Sequence, residues 1–120
     1  MSLAIPAREL AGLEPLWTSG LGSVYDAYSD HSEYRIALAA ALVETAVSIQ
    51  LLGTGIAGPG ELLLGDLCLA RASRLLADAG DQRLQVEFAR AVECVAAAAA
   101  AGMIPPPIRP LLVNALSQPV

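Results

Sequence analysis

The stretch Pro59–Gly80, PGELLLGDLCLARASRLLADAG, constrains the chain more than any other. Proline suits the first turn of a helix, where no internal amide hydrogen bond is needed, so Pro59 marks a start. Glu61 follows near the positive end of the helix dipole. Leu64, Leu67, Cys68, the stem of Arg71, Leu75 and Leu76 recur at helical spacing, and Gly80 fits a C-cap. Inside this helix the pair Gly65-Asp66 stands out. A glycine costs about 1 kcal/mol against alanine in a helix interior, and an aspartate among leucines is unfavourable unless paired. The pair predicts a close neighbour at Gly65 and a polar partner for Asp66.

A chain of 120 residues can form one domain with one core. Alanine and leucine dominate and aromatics make up 4%, which favours close helix-on-helix packing over a sheet. The expected fold is all-α, a single bundle of five to six helices over residues 1–120. Short N-terminal helices occupy 1–30, core helices 31–104, and a proline-rich turn with a short C-terminal helix 105–120. Alanine buries little area per residue, so a partner subunit is expected to supply missing burial, making the protein an oligomer.

Twelve carboxylates face seven arginines, with no lysine. Arg8, Arg35, Arg71, Arg74, Arg83, Arg90 and Arg109 are scattered along the chain, which argues against nucleic acid as a partner and removes the usual anchor to anionic lipid. Cys68 and Cys94 lie far apart in predicted helices and read as two buried free thiols of a cytoplasmic protein. No CxxC or paired His/Cys spacing suggests zinc, and no cofactor is implied. No basic region followed by a short apolar run marks a signal peptide. Residues 36–58 are long enough to span a bilayer, but Glu44 falls near their middle, at a cost of several kcal/mol. A buried helix with one specific polar partner for Glu44 fits better than a transmembrane span.

Taken in order, Pro6 to Trp17 predicts a short amphipathic helix through Leu10, Leu13, Leu16 and Trp17. Gly20 and Gly22 interrupt it, and Leu21, Val24 and Tyr28 stripe a second helix ending near Ser29-Asp30. Tyr25 and Tyr28 read as packing residues with their hydroxyls at the edge. Asp30 or Ser32 is the expected cap of a third helix from Glu33 to Leu52, apolar around most of its circumference and so central. Gly53 to Gly60, GTGIAGPG, is a connection that lacks the Lys and Ser/Thr of a phosphate-binding loop. Asp81 is a candidate N-cap of the fifth helix, whose broad face is Leu84, Phe88, Ala91, Val92 and Val95. Arg74 with Asp78, and Glu87 with Arg90, are helix-neighbour pairs. The run Ala96 to Ala101 carries that helix to Gly102, and Ala97 and Ala98, like Gly65, suit close packing of another helix. Pro105-Pro106-Pro107 ends it, and Ile108 to Leu116 forms a last short helix.

The segment from Leu62 to Gly102 resembles the part of trans-polyprenyl diphosphate synthases that follows their first aspartate-rich motif. The matching residues are Gly65-Asp66, Leu69-Ala70-Arg71-Ala72, Gly80-Asp81, Phe88-Ala89 and Ala91-Val92-Glu93. Upstream, Arg35 to Glu44 is similar to the helix leading to that motif. The family ends this helix in DDxxD, whose carboxylates hold magnesium and an allylic diphosphate. This chain has Ser48-Ile49-Gln50-Leu51-Leu52-Gly53 there, without a carboxylate, and it lacks the length that carries the second motif. Neither basic groups nor metal carboxylates for a diphosphate are assembled. The resemblance therefore implies a non-catalytic accessory or regulatory subunit, like the short partner in two-subunit synthases. Such a partner helps set product length by pocket shape and borders the isoprenoid chain. The competing expectation is a homodimeric helical scaffold with no isoprenoid role.

Asp66 reads as a structural or vestigial-site polar residue pairing with Arg71, Arg35 or a helix terminus. Glu44 reads as a buried hydrogen-bonding residue rather than an acid catalyst. A trio of Glu44, Asp66 and Glu93 from three helices would make a bundle metal site only if the three converge. His31, beside Asp30 and Glu33, reads as a solvated or capping residue, and no serine has the spacing of an activated nucleophile.

Overall fold

A computed structural model describes residues 5–51 and 58–118. The described residues are all-α, with no strand among them. A 3-10 turn at Ala7–Leu10 is followed by α1 (Glu14–Leu16), a wide π turn at Trp17–Leu21 and α2 (Gly22–Ser29). The long helices are α3 (Tyr34–Gln50), α4 (Pro59–Asp78) and α5 (Gln82–Ala100), and α6 (Ile108–Leu116) closes the fold.

The N-terminal helix expected over Pro6 to Trp17 is broken. Gly12 sits at φ 83°, a conformation that suits glycine, and its N–H donates to Glu14 Oε1 at 2.9 Å. The helical path restarts at Glu14 and is interrupted again at Gly20, whose φ of 158° lies outside the helical region, while Gly22 is already helical at the start of α2. At α3 neither Asp30 nor Ser32 caps. The boundary residue is Glu33, without a side-chain cap bond, and its carboxylate instead accepts from Arg35 Nε at 2.9 Å. Helix α3, expected to run to Leu52, ends at Gln50 with Leu51 as its C-cap. Leu52 and most of the connection Gly53 to Gly60 lie outside the described residues.

The other helix ends follow from local chemistry. At the start of α4 Glu61 Oε1 accepts from the Gly58 N–H at 3.2 Å, which satisfies one orphan donor. Its C-terminus closes with Gly80 at φ 72°. There Asp81 N–H donates to Leu76 O and Gly80 N–H to Ala77 O, each at 3.0 Å, the paired bonds of a left-handed glycine cap. Asp81 Oδ1 then accepts from Leu84 N–H at 3.0 Å and caps α5.

The centre of the fold is α3, where Ala37, Leu38, Ala39, Ala40, Ala41 and Leu42 are all fully buried. Helices α2, α4, α5 and α6 all pack on it, and α3 against α4 is the most extensive helix contact. A methyl-sized surface lets neighbouring helices approach closely but supplies little apolar area. Arginines add polar staples between elements. Arg35 donates to Asp78 O at 2.9 Å and Arg83 to Ala115 O at 3.3 Å, each placing a cation at a helix C-terminus, where the dipole favours it. No described helix is long and apolar enough to cross a membrane.

Gly65 is buried where α4 meets the end of α3. A methyl group there would stand 2.5 Å from Gln50 Cγ and Cδ, so the missing side chain is the space in which Gln50 lies. Replacing Gly65 by alanine displaces Gln50 and loses its exposed hydrogen bonds, but the gain in helix propensity is of similar size, about 1 kcal/mol. The expected net change is near zero. Gly65→Leu, which has to enter the α3–α4 contact, is expected to destabilise by about 1–3 kcal/mol. Chemical unfolding of both variants checks this, and a tolerated leucine would show that α3 and α4 do not need close approach there.

Candidate functional site

Two features gather the chain's chemistry. The first is a groove of about 360 Å³ between α3, α4 and α5. It exists because α4 and α5, joined by the tight Gly80-Asp81 link, touch far less than α3 and α4 do. Val43, Leu69, Ala72, Leu76, Phe88 and Val92 make its wall. Gln85 Nε2 donates to Ser73 O at 3.0 Å across the two helices, and Glu93 supplies the one carboxylate of the lining. The volume falls in the range of small-molecule sites, and an apolar wall with a few polar groups is their usual composition.

The second feature is a polar network joining α2, α3 and α6. Tyr28, fully buried, donates its hydroxyl to Glu44 Oε1 at 2.7 Å. Arg109 donates Nε to Oε1 at 2.9 Å and Nη2 to Oε2 at 2.8 Å. Its guanidinium carbon lies 5.9 Å from the centre of the Tyr28 ring. The fork is the bidentate arrangement that suits arginine and carboxylate. Glu44 is 14% exposed and Arg109 46%, so the network is closed on the protein side and wet on the other. No buried side-chain N or O atom among the described residues lacks a partner. The arrangement leaves Glu44 without a free oxygen for acid–base work.

The other expected site residues are dispersed. Asp66 is exposed rather than set among leucines, because Leu62 and Leu63 beside it also face outward. Its partner is neither Arg71 nor Arg35. Gln50 Nε2 donates to Asp66 Oδ1 at 3.1 Å and to Leu62 O at 3.0 Å, so one side chain both fills the space at Gly65 and meets Asp66. Arg71 points to the N-terminal segment, donating to Ala11 O at 2.6 Å and Glu9 O at 3.3 Å. Arg35 is engaged with Glu33 and the end of α4. Glu93 is exposed. Among the described residues no group of three His, Cys, Asp or Glu side chains is placed to hold a metal ion. Glu44, Asp66 and Glu93 therefore do not form a metal site.

Several smaller expectations change as well. Ala97 is exposed and Ala98 half-buried, so no helix of the described residues covers Ala97. Cys68 is buried but Cys94 is exposed, in a polar cleft between α5 and α6 with Arg90 and Asn114. Its outward position follows from the face it occupies, because the inner face of α5 is Leu84, Phe88, Ala91 and Val95 and Cys94 lies with exposed Arg90 on the other side. Tyr28 is a packing residue as expected, but fully buried, with its hydroxyl held by Glu44 rather than free at an edge. Among the described ion pairs Glu87–Arg90 forms at 3.6 Å, while Arg74 and Asp78 do not approach within 4.0 Å. Tyr28, Arg109 and Gln50 are the residues that local spacing could not single out. The one available signal was a lone cation in the first turn of an apolar last helix.

Burial pushes the Tyr28 hydroxyl well above the usual tyrosine range, and the hydrogen bond and charge of Glu44 push the same way, against Arg109. Burial, then Asp26 and Glu33, raises Tyr25. Burial raises the Cys68 thiol, with Arg71 acting in the opposite direction. In each case the folded state holds its proton at a pH where the unfolded chain has released it. Stability is thus fully present below the unfolded values and falls as pH rises past about 9, then faster past about 10. Melting temperatures between about pH 7 and pH 11 should show this decline, with a shallower slope for Tyr28→Phe. A flat profile would contradict it.

No family model, curated protein or solved structure matches the chain.

Proposed function

We propose that the protein is a non-catalytic accessory subunit of the polyprenyl diphosphate synthase type, whose groove between α3, α4 and α5 borders an apolar chain. The observation that carries this reading is the groove itself, an open apolar channel with no metal-binding cluster among the described residues. Its contribution would be shape. Small side chains such as Ala72 and Ala89 leave room for an extended hydrocarbon, and larger ones would shorten it. Catalytic carboxylates and metal ions would come from a separate, larger subunit bearing DDxxD.

The test is capture of the tagged protein from its own cell, with partners identified and prenyl transfer assayed in the eluate. A DDxxD-bearing partner, with activity that needs both chains, supports the reading. Ala89→Trp is an exposed groove substitution, and it should then shift product length without loss of assembly. Recovery of the protein with itself alone, and no effect on an added synthase, would overturn it.

A second reading, a homodimeric helical scaffold, is favoured by the far end of α5. Ala97 is exposed there, and Met103 and Ile104 are 66% and 94% exposed. It predicts a dimer in solution that is indifferent to isoprenoid diphosphates and broken by Ile104→Asp.

A further inference from the structure

The pocket between the N-terminal turn and the last turns of α4 gathers three of the seven arginines of an acidic chain. Arg8, Arg71 and Arg74 line about 180 Å³ together with Glu9, Leu75 and Asp78. The volume is below that of sites for drug-sized ligands and suits a compact ion. The arginines have not been neutralised by the carboxylates beside them. The ion pairs of the described residues are Arg35–Glu33, Arg90–Glu87 and Arg109–Glu44, none of which involves this pocket.

Arg71 is the fixed member. It is half-buried and donates one N–H of each terminal nitrogen to the carbonyls of Glu9 and Ala11. A guanidinium has five N–H donors, so others remain for a ligand. Those two carbonyls account for where Arg71 lies but not for Arg8 and Arg74, which are exposed and make no side-chain hydrogen bond among the described residues. Three forked cations around a small space are the arrangement that recognises oxyanions.

The two carboxylates decide which oxyanion. A fully ionised anion such as sulfate only accepts hydrogen bonds and would be repelled by Glu9 and Asp78. Inorganic phosphate carries an O–H in both forms present near neutral pH, and a monoester carries one as its monoanion, with a second pKa of about 6. That O–H can be donated to a carboxylate while the other oxygens face the arginines. We propose that this pocket binds a protonated phosphate group, either free phosphate or the head of a phosphate monoester. The site is independent of the groove and of the accessory-subunit reading.

The experiment is titration of the full chain with inorganic phosphate, glycerol phosphate and sulfate, at constant ionic strength and about pH 6.5. Arginine Nε–H resonances report the site directly. Saturable shifts with phosphate, and a much weaker response to sulfate, are expected. Equal affinity for glycerol phosphate would place the monoester head in the pocket, whereas preference for inorganic phosphate would identify the free ion. Arg8→Ala and Arg74→Ala remove exposed groups outside the core and should each weaken binding by about tenfold, with unchanged circular dichroism. No saturation by about 10 mM phosphate, equal binding of sulfate, or unaltered binding by the double variant would overturn the proposal.

Discussion

Replacing Phe88 by alanine is expected to destabilise the fold by about 3–5 kcal/mol. Phe88 is the chain's one phenylalanine, and it is 2% exposed, standing where α5 faces α3 and α4. Its neighbours there include Ala72 and Ala89, whose methyl groups cannot move into the vacated space. The loss therefore combines the transfer free energy of the ring with the cavity it leaves. Against a total stability of order 10 kcal/mol for a chain of this size, that is a large fraction. Urea unfolding should show a lower midpoint with an unchanged slope. A change under about 1 kcal/mol would mean that α5 is held by something other than this ring. The same substitution enlarges the groove, so an apolar probe should bind better to the folded variant than to the parent.

Replacing Glu44 by alanine should cost about 2–3 kcal/mol, and the reason is asymmetric. Tyr28 is fully buried, so loss of its acceptor strands a hydroxyl away from water and imposes the full desolvation penalty. Arg109 is 46% exposed and can turn to solvent, so its share is smaller than for a buried pair. Glu44→Gln keeps an acceptor for Tyr28 but sets an amide against the guanidinium, and should fall between parent and alanine. A double-mutant cycle of Glu44→Ala with Arg109→Ala should give a coupling of about 1 kcal/mol. Strict additivity of the two would show that the fork contributes nothing to stability.

The helices were legible because their signals are local. Gly102, at φ 73°, closes α5 after Ala100, and beyond Pro105-Pro106-Pro107 the short apolar run forms α6 at Ile108–Leu116 as expected. Gly80 and Asp81 are read correctly for the same reason, since a left-handed residue and an N-cap need only their neighbours. Partner identity is not local. Tyr28 and Arg109 lie 16 and 65 residues from Glu44, and no spacing announces either. Asp66 looked interior because leucines surround it in the chain. An amphipathic helix carries some of those leucines on its outer side, and Leu63 is 70% exposed. Cys94 was expected inside as a free thiol within a helix, but it falls off the inner face that Leu84, Phe88, Ala91 and Val95 define. The groove was not legible at all, since it arises from how far α4 and α5 diverge.

The bond between Glu44 and Arg109 also bears on the order in which the molecule assembles. Helices α3 and α4 are consecutive and share the largest contact, so little chain entropy opposes their meeting, and they are suited to form the folding nucleus. Helix α6 is short, packs chiefly on the α5 that precedes it, and has a lesser contact with α3 through Arg109 and Glu44, 65 residues apart. It is the natural last piece to dock and first to detach. Transient detachment would bare Tyr28 and the inner side of α3 without unfolding the rest. Amide protons of α6 should accordingly exchange through this small opening, while those in the middle of α3 wait for the whole chain to unfold.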